Sequence, residues 1–172
     1  MEGFLNPNKV LNNLALREDM VAVDFGCGSG GWVIPLAKRL EEGKVYAVDI
    51  LEEPLSALQG RAKLEKVLNI ETIRANVERE TSLASNSVDL VLITNLLFQI
   101  EDKKAVLLEA KRILKKGGEI LVVDWLPEAL QGPREGRVSP DEVKKIAKNL
   151  NLKLEKEFRT GIYHYGLIFI KP

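Results

Sequence analysis

One stretch of eight residues, Val23-Asp24-Phe25-Gly26-Cys27-Gly28-Ser29-Gly30, constrains this chain more than any other. It ends the β-prone apolar run Met20 to Phe25 in closely spaced glycines, Gly31 included, and helical spacing follows at Trp32, Ile34, Leu36, Ala37 and Leu40. A strand, a tight glycine turn and a helix in that order make half of a parallel crossover unit. In open α/β sheets such a turn lies beyond the carboxyl ends of the strands, where the absence of a Cβ lets a ligand approach the backbone.

The alternation continues along the chain. After Gly43, Lys44 to Asp49 reads as a second strand, Pro54 to Val67 as a helix through Leu55, Leu58 and Ala62, and Ile70 to Arg74 as a third strand. Ser87 to Ile93 is a fourth strand, Lys103 to Leu114 an amphipathic helix, and the turn Lys116-Gly117-Gly118 leads to a fifth strand, Glu119 to Asp124. Strands four and five are apolar over most of their length, as strands covered on both faces by crossover helices are. Asn6-Pro7 opens a short N-terminal helix with Val10, Leu11 and Leu14 on one side, and Ser139-Pro140-Asp141-Glu142 signals the start of a last helix. Two final runs, Lys153 to Thr160 and Ile162 to Ile170, are separated only by Gly161. So short a link permits an antiparallel pair and not a parallel crossover. The reading is a single α/β domain over residues 1–172.

Charge narrows the partners. Twenty-five basic residues balance twenty-five acidic ones, so no bulk field draws the chain to a phosphate backbone or an anionic membrane. The single cysteine, Cys27, excludes an internal disulfide framework, and no basic segment followed by an apolar core opens the sequence, so the expected compartment is cytoplasmic. The longest apolar stretch, Leu90 to Phe98, is broken by Thr94 and Asn95 and is too short to span a bilayer. No His, Cys and carboxylate cluster has metal-ligand spacing, so no metal is expected.

Asp49 ends the second strand nineteen residues after Gly30, where a carboxylate can accept hydrogen bonds from both hydroxyls of a ribose. Gly26-x-Gly28-x-x-Gly31 also satisfies the dinucleotide fingerprint, so the glycines alone leave a nicotinamide or flavin site open. Asp24 tips the balance: a carboxylate two residues before the first glycine faces a pyrophosphate unfavourably and suits a cationic ammonium.

These residues give the chain its likeness. It resembles the class I S-adenosylmethionine (SAM)-dependent methyltransferases, in the group of the ubiquinone/menaquinone-biosynthesis methyltransferases, from Phe4 to Lys171. The acid and glycines of Val23 to Gly30 carry most of the resemblance, supported by Val48-Asp49-Ile50, by Asn86 to Val91 and by Leu108 to Gly118. The resemblance implies a Rossmann-like three-layer α/β/α sandwich whose mostly parallel seven-stranded sheet has the order 3-2-1-4-5-7-6 and an antiparallel last strand. It implies S-adenosyl-L-methionine as cofactor and S-adenosyl-L-homocysteine as product. Asp24, Gly26, Cys27, Gly28 and Gly30 would hold the methionine part, Asp49 the ribose and Ile50 the adenine face. Asn76, followed by Val77, falls where the family commonly has Asp beside the adenine amine, and an Asn carbonyl still accepts that bond. Thr94, Asn95 and Leu96 would line the methyl-transfer centre.

The expected activity is methyl transfer to a small-molecule acceptor. The alternatives are a non-catalytic or partner-dependent SAM-binding subunit and an RNA or protein methyltransferase. Methyl transfer asks chiefly for alignment and a dry site, and a base only where the acceptor must lose a proton. His164 is the first candidate for such a base and Tyr163 the second, each weighed against simple packing. Arg134 and Arg137 lie in the loop Pro127 to Pro140, which reads either as a lid for an anionic substrate or as a solvated loop. Trp125 is a pocket candidate, Trp32 a core residue or cofactor cover, and Cys27 a small loop filler rather than a reactive thiol.

Overall fold

The computed structural model describes residues 4–172. Its elements are α1 (Pro7–Leu11), β1 (Val21–Phe25), α2 (Val33–Ala37), β2 (Lys44–Asp49), α3 (Glu52–Leu64), β3 (Ile70–Arg74), β4 (Val88–Thr94), a short 3-10 turn (Leu97–Gln99), α4 (Lys103–Ile113), β5 (Leu114–Trp125), α5 (Pro140–Asn149), β6 (Lys153–Thr160) and β7 (His164–Ile170). The strands form one sheet in the order β3-β2-β1-β4-β5-β7-β6. β1 to β5 pair in parallel, and β7 runs antiparallel to β5 and also to β6, the second of these as the short link at Gly161 requires.

Helix starts follow their capping residues. The Asn6 side chain accepts the Lys9 amide at 3.3 Å, Asp102 accepts Ala105 at 2.9 Å, and Ser139 accepts Glu142 at 3.1 Å, so each side chain satisfies an amide that the helix leaves unpaired.

Because side chains alternate across a sheet, the strands feed two cores. Val23, Phe25, Ile93 and Val122 pack with Val106, Ala110 and Val143 of α4 and α5. Ala22, Leu92, Val123 and Ile168 pack with Val10, Leu36 and Leu58 on the α1–α3 side. Burial on both faces explains the near-continuous apolar runs of β4 and β5. β6, at the edge, is KLEKEFRT and largely exposed, and its charges discourage pairing with another chain. The Leu108 to Gly118 segment serves this architecture: buried Glu109 accepts the Thr81 amide and hydroxyl at 2.7 and 2.6 Å and the Arg112 guanidinium at 2.7 Å.

Several element ends depart from the sequence reading: α3 runs from Glu52 to Leu64 rather than Pro54 to Val67, and β7 begins at His164 rather than Ile162, after a turn over Gly161 to Tyr163. α2 stops at Ala37, because Leu40 divides its amide between Leu36 and Ala37 carbonyls, both at 3.2 Å, and the regular ladder ends. Lys116-Gly117-Gly118 belongs to β5: Gly117 donates to the Lys171 carbonyl at 2.7 Å and Lys171 donates to Gly118 at 3.1 Å. A register slip against β4 between Val88 and Leu90 absorbs the extra residues.

Candidate cofactor and acceptor site

The carboxyl ends of the parallel strands surround a cleft of about 380 Å³. β1 delivers the glycine loop to it. Gly26 and Cys27 both donate to the Val48 carbonyl, at 2.8 and 3.0 Å, which draws the loop across the end of β2. Gly26 has φ +69°, and a Cβ there would stand 2.6 Å from Leu96 Cδ1, so the loop and the segment after β4 are in contact. Gly28 differs. At φ +53° it too needs glycine, yet a Cβ would meet nothing within 4 Å, so the missing side chain leaves room beside the cleft.

Asp49 closes β2 as a double acceptor. Its Oδ2 takes the Gly28 amide and its Oδ1 the Leu51 amide, both at 3.0 Å. A carboxylate offers about four acceptor positions, so each oxygen keeps one for a ribose hydroxyl. Ile50 is more than half exposed over the cleft and offers an apolar face. The Asn76 Oδ1 accepts the Glu78 amide at 2.9 Å and keeps its second lone pair.

Asp24 is wholly buried, and neither carboxylate oxygen has a hydrogen-bond partner. Burial, and then the charge of Asp49, push it well above the ordinary carboxylate range. A buried acid without donors is costly, and an ammonium group would supply both charge and N–H donors. The residues present therefore fit S-adenosylmethionine: an acid for the ammonium, an acid for the ribose, glycine room between them and an apolar surface for the base.

Of the sequence-predicted residues, Gly26, Gly28, Asp49, Ile50, Asn76 and Val77 line the cleft together, and Leu96 joins them from the segment after β4. Asp24, Cys27, Gly30 and Thr94 are not among the residues that line the cleft. Cys27 is buried, its thiol raised by burial and by the charges of Asp24 and Asp49, and stays protonated. Gly30 packs against Leu58, which a Cβ would approach to 2.4 Å. Thr94 is buried at the end of β4. Leu51, Pro54, Glu78, Gln99 and Ile100 also line the cleft, and no sequence motif marks them as site residues.

His164 begins β7 opposite Trp125, the last residue of β5, so both lie at the same sheet edge as the glycine loop. Their rings are 4.1 Å apart between centroids. His164 is buried, its Nε2 has no partner, and burial lowers its pKa to about 4. Tyr163 lies in the preceding turn, half-buried, and accepts the Leu126 amide through its backbone carbonyl at 2.8 Å. Trp32 is a core residue.

The loop after β5 is built around Arg137. Its guanidinium donates to the carbonyls of Leu126, Pro127, Ala129, Gln131 and Pro133. Gly132 sits on the Trp125 ring, which a Cβ would approach to 2.4 Å, and Gly136 lies against the Phe98 carbonyl. Arg137 therefore fixes its own loop, which neither of the two sequence readings of that loop anticipates. Among the described residues no helix is long and apolar enough to cross a membrane, and no cluster of three or more His, Cys, Asp or Glu is placed to hold a metal.

A seven-stranded sheet in this order, with a glycine loop after β1 and an acid ending β2, defines the class I SAM-dependent methyltransferase fold. Residues 23–122 match the family described as "Methyltransferase domain", and the chain belongs to that family. It is 31% identical over 118 residues to a demethylmenaquinone methyltransferase of Bacillus mycoides, covering 68% of this chain and 49% of that one. The chain thus spans about half the length of that relative. Among solved structures it is similar to a SAM-dependent methyltransferase from Aquifex aeolicus, with a TM-score of 0.90 and 27% identity over 98% of this chain and 90% of that one. The cyclase SpnF shares the fold at a TM-score of 0.85 but only 12% identity, covering 96% of this chain and 79% of that one. Fold alone therefore does not set the reaction.

Proposed function

We propose that this chain binds S-adenosylmethionine in the cleft at the ends of β1, β2 and β3 and directs its methyl group to a small-molecule acceptor beside Trp125 and His164. The observation that carries the reading is Asp24, a buried acid with both oxygens unpaired, two residues before the glycine loop. Asp49 supports it as ribose acceptor, Ile50 as adenine platform, and Asn76 with Val77 as the far end of the base site.

When bound, the sulfonium supplies an electrophilic methyl group and its own neutral leaving group. The chain's part is alignment and exclusion of water. Thr94, Trp125 and His164 lie on the Asp24 side of the sheet by strand alternation, which favours that side for the acceptor. A histidine with a pKa of about 4 is neutral at pH 7, so His164 is assigned as a hydrogen-bond partner that orients an acceptor rather than as a strong base. Tyr163 is the second such candidate, at the rim of the same turn.

The test is calorimetric titration of the purified chain with S-adenosylmethionine, S-adenosylhomocysteine, NAD and NADP. Binding of the two adenosyl sulfur compounds alone is expected, and binding of a dinucleotide alone would overturn the reading. Demethylmenaquinone, which the relative's name contains, is the first acceptor to try. Cofactor binding with no turnover of any small acceptor would move the assignment to a partner-dependent SAM-binding subunit.

A further inference from the structure

The end of β5 carries a second fully buried acid, to which nothing in the cofactor reading gives a role. Asp124 lies on the sheet face opposite Asp24, since it alternates with Val123 of the α1–α3 core. Its Oδ2 accepts the Leu97 amide and its Oδ1 the Trp125 amide, both at 2.8 Å. The amides of Leu96 and Phe98 lie close enough to favour its charged form.

Those amides belong to the segment that walls the cleft. Leu96, Gln99 and Ile100 line it, and Leu96 presses on Gly26 at the start of the glycine loop. The segment begins with Asn95 at φ +49°, in the left-handed region, and continues as a 3-10 turn of three residues. So short a turn has almost no hydrogen-bond ladder of its own, and its first amides need an acceptor from elsewhere.

We infer that Asp124 is a positioning residue for the cofactor cleft: its carboxylate gathers the backbone amides of the turn after β4 and so sets the wall formed by Leu96 and Gln99. The inference rests on the cofactor reading above. Burial raises Asp124 to about 6, with the amides of Trp125, Leu97, Phe98 and Leu96 opposing that rise. Protonation would remove an acceptor position and place a donor against N–H groups. The neighbouring ionisable groups are few. Tyr165 faces Asp124 across the β5–β7 pair and donates its hydroxyl to the Val138 carbonyl at 3.0 Å, and Glu142 of α5 lies near that tyrosine. The turn from Leu96 to Gln99 contributes none.

The experiment measures the Kd of S-adenosylhomocysteine by calorimetry for the wild type and Asp124→Asn across about pH 5 to 8, the span over which such a buried acid titrates. At the alkaline end the variant should bind about tenfold more weakly, the value of a charge-assisted hydrogen bond. On acidification through about 6 the ratio of the two constants should fall towards one. Any titration of Asp24 is common to both proteins and cancels in the ratio. A ratio that stays constant with pH, or equal binding throughout, overturns the inference alone. A wild type that binds no S-adenosylhomocysteine overturns the cofactor reading and the inference with it. Should Asp124→Asn fail to fold, the wild type gives the answer by NMR. The Leu97 and Trp125 amide resonances and the Leu96 methyl resonances should move together with a midpoint near 6, and Leu96 methyls that stay fixed overturn it.

Discussion

The carboxyl ends of β1 and β5 hold the same side chain in opposite circumstances. Asp24 and Asp124 are both fully buried near the ends of apolar parallel strands, and burial raises the pKa of both. Asp124 accepts two backbone amides at 2.8 Å, whereas Asp24 accepts none. The cause lies in where the neighbouring backbone sends its donors. After β4 the chain folds back so that its amides point at Asp124. After β1 the amides of Gly26 and Cys27 go to the Val48 carbonyl and that of Gly28 to Asp49, so none is left for Asp24. An acid at a strand end is thus held by the protein when a loop turns towards it, and is left without donors when the loop turns away.

The largest effect should come from Asp24→Asn. S-adenosylhomocysteine affinity is expected to fall by ~10- to 100-fold, the value of charge-assisted hydrogen bonds, in a calorimetric titration. Stability should move the other way. With its folded pKa raised, Asp24 adds no pH-dependent cost while protonated in both states, and stability falls as pH rises through the unfolded value of about 4. Urea denaturation between about pH 4 and 8 should therefore show a smaller loss in the ligand-free variant than in the wild type. Unchanged affinity would erase the contrast between the two acids.

Asp49 lies between the extremes, since it holds two loop amides and keeps free acceptor positions. Asp49→Ala should weaken cofactor binding by about 1.5 to 3 kcal/mol and also lower stability, unlike the change at Asp24. Arg137→Lys is expected to cost about 1 to 2 kcal/mol of stability while leaving S-adenosylhomocysteine affinity unchanged, because an ammonium cannot reach all five carbonyls. A cofactor affinity that follows the stability loss would show the β5 loop to be part of the cofactor site. The smallest change should be His164→Gln, which lowers turnover of an accepted substrate by ~3- to 10-fold with cofactor affinity intact. Normal turnover would leave His164 as packing against Trp125.

Much of the molecule was legible because its signals are local. Asn6, Ser139 and the glycine loop are read over a few residues, and the short link at Gly161 makes β6 and β7 an antiparallel pair. Gly28, Asp49 and Ile50 were readable as one site because strand order places β1 beside β2. Asp124 was not, although it ends an apolar strand just as Asp49 does: its donor Leu97 lies 27 residues earlier, in a turn without periodicity. Lys116 to Gly118 read as a turn because the pairing partner, Lys171, is remote in sequence. Arg137 looked solvated or substrate-binding, since nothing in the composition of a Gly- and Pro-rich loop reveals that its carbonyls converge on one guanidinium.

The place of β7 bears on how the protein is made. It is the last strand in the chain, yet it lies inside the sheet, between β5 and β6. While residues emerge from the ribosome in order, the cofactor half can assemble first. Until β7 arrives, the backbone of Ile120, Leu121, Val122 and Val123 has an open edge, an apolar strand able to pair with a neighbouring nascent chain. Conditions that slow the delivery of the final strand, such as a translational pause before His164 or a premature stop there, should therefore yield aggregates rather than a smaller soluble domain.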